Sequence, residues 1–145
     1  MAGALWVCQA TFWHNAAMPR LDAIGLIVSH MGTAIEFYRK LGLEFPTGSE
    51  ALDHVEAVNR DGVRLMFDTE EWVKGHSAWI APGGSHRVAL AFLCEDPAEV
   101  DRLHNELVAS GAQSYLAPFN APWGQRYGTV LDPAGNAVDL FAPLP

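Results

Sequence analysis

An internal repeat is the feature that most constrains how this sequence can fold, because it predicts the same order of elements twice. An alternating apolar run at 23–28 matches a run of the same length at 87–92, and both precede apolar residues at helical spacing. In each half a turn then follows, around Gly62 in the first half and Gly135 in the second. Each half is therefore predicted to contain a strand, a helix and about three further strands. The strands expected beside the two turns are 54–59 and 63–68, and 127–131 and 137–141.

The two expected helices differ in how clearly their ends are marked. The first is predicted at about 29–41 from the spacing of its apolar residues. The second has a stronger start, because Asp96 suits the N-cap and Pro97 suits the first helical position. Glu99 completes a spacing like that of a capping box, and Gly111 predicts the end of this helix.

Neither half is expected to fold alone. The chain has 145 residues, of which 50% are hydrophobic, and this suits one domain with one core. We therefore predict a single domain at 21–145, with a first module at about 21–80 and a second at about 86–143. The segment 1–20 is interpreted as an extension outside the repeat. The segment 70–85, with its Trp, Pro and Gly residues, is interpreted as the connection between the modules.

The composition argues against several kinds of partner. Nine Lys and Arg against seventeen Asp and Glu give a net charge of −8, which disfavours binding to the phosphates of nucleic acids. No run reaches the roughly 20 apolar residues of a membrane span, and the apolar N-terminal stretch lacks the basic start of a signal peptide. Cys8 and Cys94 are too few for a disulfide framework. We therefore expect a cytoplasmic protein that binds neither nucleic acid nor membrane.

The segments that carry the repeat also resemble a known family. The opening runs LDAIGLIV at 21–28 and IEFYRKLG at 35–42 are similar to the start of the vicinal oxygen chelate superfamily. This superfamily includes glyoxalase I, bleomycin resistance proteins and extradiol dioxygenases. The closing runs PWGQRY at 122–127 and DPAGNAVDL at 132–140 resemble its last module, and the likeness covers about 21–143.

The resemblance implies an α+β fold of two βαβββ modules, whose curled mixed sheets surround a shared cavity. It does not decide the chemistry, since the superfamily contains lyases, dioxygenases, epimerases and drug binders that lack catalysis. The residues at the expected site must decide.

In metal-dependent members of the superfamily, the first and last strands of each module supply the metal ligands. The resemblance places Ala23, Met66, Arg87 and Asp139 at these positions. Only Asp139 commonly binds divalent cations, and a guanidinium beside it would repel one. We therefore predict no metal and no cofactor, with Arg87 facing Asp139 where the ion would be. The alternative is that Arg87 extends into solvent.

A ligand cavity is the expected replacement for the metal cage. Small residues at Gly25 and Ala89 would leave space in it, unless they only permit close packing of the sheet. Trp123 and Tyr127 could hold a planar ligand and Arg126 could orient an anionic group, although core or subunit packing is the alternative for each tryptophan. The predicted ligand-binding residues are Arg87, Asp139, Met66, Trp123, Arg126, Tyr127, Gly25 and Ala89.

These residues favour a small-molecule binding protein of the bleomycin resistance type. By resemblance, such a protein sequesters a partly aromatic ligand and works as a homodimer. The acidic net charge favours a cationic ligand, whereas Arg87 and Arg126 favour an anionic one, so the sequence selects neither sign.

Two enzymatic interpretations stay open. One is a metal-dependent lyase, isomerase or dioxygenase that uses an unusual ligand set of His54, Glu56, His86 and Asp139. The other is a metal-free enzyme in which Asp139, Glu56 or His54 transfers protons. His54 and Glu56 share one face of a predicted strand, and they can equally be the polar face of an edge strand.

Overall fold

A computed structural model describes residues 21–58, 62–78, 80–81, 83 and 88–145. The described part contains three α-helices and seven strands, and the strands form two mixed sheets. The predicted α+β class is confirmed. The N-terminal extension expected at 1–20 lies outside the described residues.

The elements follow the order that the repeat predicts, with two additions. These additions are a short 3-10 turn at Ser49–Ala51 and a helix after the third strand. In chain order the strands and α-helices are β1 (Ala23–Val28), α1 (Met31–Lys40), β2 (His54–Ala57), β3 (Arg64–Thr69), α2 (Glu70–His76), β4 (Ala89–Leu93), α3 (Pro97–Ala109), β5 (Gln113–Ala121), β6 (Gln125–Leu131) and β7 (Ala137–Pro143).

The two sheets share a strand order but differ in size. The first has the order β1-β3-β2 and the second the order β4-β7-β6-β5, and in each the first strand runs parallel to the last. Where the second sheet has β5, the first has only an isolated bridge between Glu44 and Val58. Pro46 has no backbone N–H and Gly48 has a φ of 83°, so the chain leaves the sheet after this bridge. The expected third strand of the first half is therefore reduced to one residue pair.

The two sheets are not closed around a common cavity by the described residues. β1 and β4 are both edge strands, and the first sheet lacks a full fourth strand. The described residues of the two sheets therefore do not enclose a cavity between them.

Helix α3 begins as its sequence predicts. Asp96 Oδ1 accepts a hydrogen bond from the Glu99 N–H at 2.8 Å, and Pro97 occupies the first turn. The Glu99 carboxylate accepts from the N–H of Glu95, at 2.7 Å, instead of from that of Asp96. After the helix ends at Ala109, Gly111 takes a φ of 105°, as expected for a residue that stops a helix.

The segment after β3 differs from the expected connection, because its first residues form helix α2. Thr69 caps this helix through its hydroxyl, which accepts from the Trp72 N–H at 3.3 Å, and Glu70 and Glu71 occupy the first turn. Trp79 lies outside the described residues. Within the described residues, no helix is long and apolar enough to cross a membrane.

One apolar core connects the two modules. Ile35 and Tyr38 of α1 and Leu140 of β7 are fully buried members of the same cluster. The Tyr38 hydroxyl also donates to Asp132 Oδ2 at 2.9 Å, in the turn between β6 and β7. Burial, and then the charge of Asp132, raise the pKa of Tyr38 well above its ordinary value. Among the described residues, α1 and α3 pack on one side of the sheets, and the other side of each sheet is open.

Candidate active site and ligand-binding face

The alternation of side chains along β6 and β7 divides the second sheet into two faces. Val130, Val138 and Leu140 are fully buried in the core, on the side where α3 packs. Their neighbours in sequence point to the opposite side, which we call the second open face. Its side chains include Ala91 and Leu93 of β4, Asp139 and Phe141 of β7, Tyr127 and Thr129 of β6, and Leu116 and Phe119 of β5.

Strand pairing arranges these side chains in two adjacent rows across the sheet. One row contains the only carboxylate of the set, and the other is apolar and aromatic. The first row is Ala91, Asp139, Thr129 and Leu116, and the second is Leu93, Phe141, Tyr127 and Phe119. A carboxylate therefore lies directly beside an aromatic surface.

One hydroxyl group holds Asp139, and a second influences its surroundings. Thr129 Oγ1 donates to Asp139 Oδ1 at 2.6 Å, and Thr129 is itself 5% exposed. Burial, followed by a hydrogen bond with Asp139 and the charge of that residue, raises the pKa of Tyr127 to about 12. Tyr127 therefore stays protonated at neutral pH and keeps its hydroxyl beside the carboxylate.

Three aromatic rings pack against one another next to this carboxylate. The ring centroids are 5.5 Å apart for Trp123 and Tyr127, and 6.0 Å apart for Phe119 and Trp123. Those of Phe119 and Tyr127 are 6.4 Å apart, and all three pairs meet edge to face. Trp123 lies in the tight turn between β5 and β6, where Gly124 takes a φ of 87°, and it remains 59% exposed. We call these three residues the aromatic cluster.

Phe119 joins the aromatic cluster because β5 is irregular. The pairing of β5 with β6 shifts between Ser114 and Leu116 and again between Leu116 and Phe119. Gly128 of β6 allows this close approach, because a Cβ there would lie 3.2 Å from Pro118 Cγ. Sequence reasoning did not select Phe119 or Gly128, and a Pro inside an otherwise regular strand is the signal that points to the irregularity.

The structure places Arg126 away from the second open face. Its Nε and Nη2 donate to Asp101 Oδ1 of α3 at 2.9 Å and 2.8 Å, and its Nη1 donates to Asn120 Oδ1 at 3.1 Å. The guanidinium of Arg126 therefore links β6 to α3. It does not lie among the residues that would orient a ligand on the open face.

The predicted residues Gly25 and Met66 are neighbours on the first sheet. They form a ladder pair, and a Cβ on Gly25 would lie 3.9 Å from Met66 Cε. Ala89 lies instead on β4, where it is exposed and borders a groove of about 950 Å³ between the modules. Most residues that line this groove are apolar, and half of them belong to β1, β3 and β4.

A separate polar network occupies the open face of the first sheet, the side away from α1. The ring of His54 is held through Nδ1 by Asp68 Oδ1 at 2.7 Å. Glu56 accepts from Arg64 Nη1 at 2.5 Å, and Asp22 accepts from Arg64 Nη2 at 2.6 Å. The candidates His54 and Glu56 are thus 3.9 Å apart through Nε2 and Oε1. They lie on a different sheet from Asp139, and His86 of the proposed ligand set lies outside the described residues.

With the fold and the faces in place, comparison with known proteins assigns the family. A model of the glyoxalase family, described as the glyoxalase/bleomycin resistance protein/dioxygenase superfamily, matches residues 20–140. The chain belongs to this superfamily. No curated protein matches the chain significantly.

Solved structures of the superfamily share the fold at low sequence identity. A glyoxalase/bleomycin resistance protein/dioxygenase from Nocardioides is 23% identical with a TM-score of 0.65, over 90% of this chain and 87% of that one. A family enzyme from Burkholderia phytofirmans PsJN is 17% identical with a TM-score of 0.73, over 87% of this chain and 100% of that one. A glyoxalase-related enzyme from Fulvimarina pelagi is 20% identical with a TM-score of 0.72, over 86% and 88%.

The sheet ladders correct how the two modules of this superfamily member align. Ala23 pairs with Arg64 in the first sheet, and Ala89 pairs with Ala137 in the second. Arg64 and Ala137 each lie two residues after the turn glycine of their module. Ala89 is therefore the counterpart of Ala23, and the alignment that put Arg87 there was wrong by two residues.

The residues at the superfamily's metal positions do not fit a divalent cation. With the corrected alignment these positions hold Ala23, Met66, Ala89 and Asp139. The alanines have no donor atom, and a thioether suits soft ions such as Cu(I) better than zinc or manganese. Within the described residues, no group of three or more His, Cys, Asp or Glu side chains could hold a metal ion. Arg87, and the ion pair expected between it and Asp139, lie outside the described residues.

Proposed function

We propose that this protein binds and sequesters a small, partly aromatic molecule on its second open face, in the manner of a bleomycin resistance protein and without a metal cofactor. The observation that carries the proposal is a carboxylate directly beside packed aromatic rings on an uncovered face. Small-molecule sites are lined mostly by apolar and aromatic side chains with a few polar anchors. The donor set at the metal positions supports binding over metal catalysis.

The aromatic surface is accessible to a planar ligand. Trp123 is 59% exposed and Leu116 is 40% exposed, while Phe119 and Tyr127 are half-buried. Each aromatic contact with a ligand contributes on the order of 0.5–1.5 kcal/mol beyond the burial of apolar area. Several such contacts on one face are sufficient for selective binding of an aromatic molecule.

We also propose that the active form is a homodimer in the cytoplasm. Val88 and Leu93 beside the edge of β4 are 68% and 69% exposed. Exposed apolar edge strands are usually covered by another surface, and a second copy would do this while enclosing the open faces. The buried free thiol of Cys94 suits a reducing compartment.

One observation favours a second candidate function, which is proton transfer on the first sheet. Asp68 binds the Nδ1 atom of His54, so the Nε2 atom of this ring points away from Asp68. The His54 side chain is 45% exposed. A carboxylate that orients an imidazole in this way is a common arrangement for a general base. This candidate requires no metal.

The binding proposal is tested with protein purified from cells without chelator. Native mass spectrometry should show a small organic molecule that leaves on denaturation, and elemental analysis should show no stoichiometric transition metal. Trp123→Ala should weaken rebinding of that molecule by about tenfold or more, because it removes the exposed ring of the aromatic cluster. Trp72→Ala is the matched control, since Trp72 is 39% exposed on α2 beside the other sheet.

The outcomes separate the candidates. A molecule that is bound and recovered unchanged supports sequestration, whereas its conversion to a product supports an enzyme. About one transition metal per chain, lost in Asp139→Ala, would overturn the metal-free proposal. Equal loss of binding in Trp72→Ala and Trp123→Ala would contradict the location of the site.

A further inference from the structure

We infer that the ligand of the second open face is an arylalkylamine, with its protonated amine at Asp139 and its aromatic ring on the aromatic cluster. This inference rests on the proposed binding function and names the chemical class of the ligand. It depends on three features of the site: the charge at Asp139, the space beside it and its distance from the rings.

The carboxylate of Asp139 has hydrogen-bonding capacity left for a ligand. Thr129 donates one hydrogen bond to it, and an ionised carboxylate has about four acceptor sites. Within the described part of the chain, no Lys, Arg or His side chain forms an ion pair with Asp139. A half-buried carboxylate without a counter-ion is stabilised by a cation that also donates hydrogen bonds.

Two arginines of the sheets, Arg126 and Arg64, form ion pairs with other carboxylates. Arg126 is adjacent to Tyr127 in sequence, but it is paired with Asp101 on the helix side of the sheet. Arg64 of the first sheet is paired with Asp22 and Glu56. The sequence favoured neither sign of ligand because Arg87 and Arg126 both favour an anionic one. The pairing of Arg126 with Asp101 removes one of these two residues from that argument, and Arg87 lies outside the described residues. The net charge of −8 attracts cations.

The open face also has room for an ammonium group at the carboxylate. Ala91 is the direct ladder neighbour of Asp139 and is exposed. Ala89, two residues earlier on the same strand, is exposed as well. Within the described part of the chain, short side chains on the edge strand leave space on the β4 side of Asp139, while Thr129 occupies the β6 side.

The separation of charge and rings sets the length of the ligand's linker. On the ladder between β6 and β7, Asp139 pairs with Thr129, and Tyr127 of the aromatic cluster is its diagonal neighbour. Diagonal neighbours of this kind are about 7–8 Å apart, so the carboxylate and the aromatic surface lie a short distance from each other. A ligand that reaches both has its amine a short alkyl linker away from its ring.

The experiment compares probes that differ only in the group attached to a phenylalkyl chain. Binding of 2-phenylethylamine, 2-phenylethanol, 3-phenylpropionate and phenylethyltrimethylammonium is measured by calorimetry with the full-length protein at pH 7. We expect the amine to bind about tenfold or more tightly than the alcohol, because charge-assisted hydrogen bonds exceed neutral ones. The quaternary ammonium should bind less tightly than the amine because it has no N–H donor, and the carboxylate should bind least.

Variants assign the preference to Asp139. Asp139→Asn should bring the affinity for the amine down to that for the alcohol, whereas Asp139→Glu should keep part of the preference. Asp22→Asn is the matched control, because it removes the same charge from the first sheet and should leave the preference unchanged. If Asp139→Asn does not fold, the comparison of Asp139→Glu with the wild type decides, together with the four probes on the wild type.

Different experimental results would overturn the arylalkylamine inference and the proposed binding function. Equal binding of amine and alcohol, or equal binding of amine and quaternary ammonium, would overturn the arylalkylamine class while Trp123-dependent aromatic binding still stood. The arylalkylamine class would also be overturned if Asp22→Asn removed the preference for the amine as fully as Asp139→Asn. Absence of binding by every probe, together with absence of any copurifying molecule, would reject both.

Discussion

At the scale of single residues, His104 shows how burial makes stability depend on pH. It is 5% exposed on α3, and its Nε2 lies 2.9 Å from Ser114 Oγ. Its Nδ1 is buried and has no hydrogen-bond partner among the described residues. Burial is the largest influence on this ring, and it lowers the pKa of His104 below the ordinary value of 6.5. The sequence predicts no role for His104, because its position falls away from the apolar stripe of α3.

We predict that His104 contributes to acid destabilisation. Its folded-state pKa lies below the unfolded-state value, so the stability from the neutral ring is fully present above about pH 6.5 and is lost as the pH falls through the folded-state pKa. His104→Gln keeps a group that can reach Ser114 and does not titrate. Free energies of unfolding, measured by urea denaturation between pH 8 and pH 5, should fall less steeply for this variant than for the wild type. Parallel curves for the two proteins would refute the prediction.

The residue scale also shows why the site was only partly predictable. Asp139 was selected through the family resemblance, and Trp123 and Tyr127 as aromatic residues that flank one short turn. The structure places Tyr127 diagonally across the ladder from Asp139 and Trp123 against Tyr127. The position of Arg87 relative to Ala23 did not follow, because a shift of two residues keeps every side chain on the same face of a strand. Alternation alone therefore cannot detect such a shift, and only the ladders reveal that Ala89 is the counterpart of Ala23.

At the scale of elements, the irregular strand β5 shapes the candidate site. Its two register shifts bring Phe119 opposite Tyr127, and Gly128 provides the space for Pro118 to lie against β6. A repeat with a regular third strand in each half does not predict this irregularity. In the first half the same strand is missing except for one bridge, because Pro46 and Gly48 turn the chain away. The elements that both halves share were predictable, and those in which the halves differ were not.

We predict that Gly128→Ala destabilises β5 and weakens ligand binding. The added Cβ would lie 3.2 Å from Pro118 Cγ and 3.3 Å from the Leu116 carbonyl oxygen, so backbone atoms must move. Overpacking of this kind costs about 1–3 kcal/mol. Chemical denaturation measures this cost. Gly75→Ala in α2 is the control, because nothing lies within 4 Å of its added Cβ and it should be neutral or stabilising. Equal stabilities of the two variants would contradict the role of Gly128.

At the scale of the whole molecule, the two modules are joined through their helix sides and remain open on the other. The buried cluster contains residues of α1, β3, α3 and β7, so neither half has a core of its own. The open faces carry different chemistry, with an ion-pair network on the first sheet and a carboxylate beside aromatic rings on the second. A rigid shared core thus holds two uncovered surfaces, which is the arrangement that a second copy and a ligand would complete.

Variants at Tyr38 and Asp132 measure how much the stability of the shared core depends on the hydrogen bond between these two residues. The hydroxyl of Tyr38 donates to Asp132 Oδ2 at 2.9 Å, and Asp132 also accepts from the backbone N–H groups of Ala134 and Asn136. Tyr38→Phe should cost about 1–2 kcal/mol, because it removes a buried hydrogen bond to a charged group and keeps the ring. Asp132→Ala should cost more, since it also leaves the turn without its acceptor. A single unfolding transition in both variants would show that the modules unfold together, whereas two separate transitions in Tyr38→Phe would show that this hydrogen bond couples them.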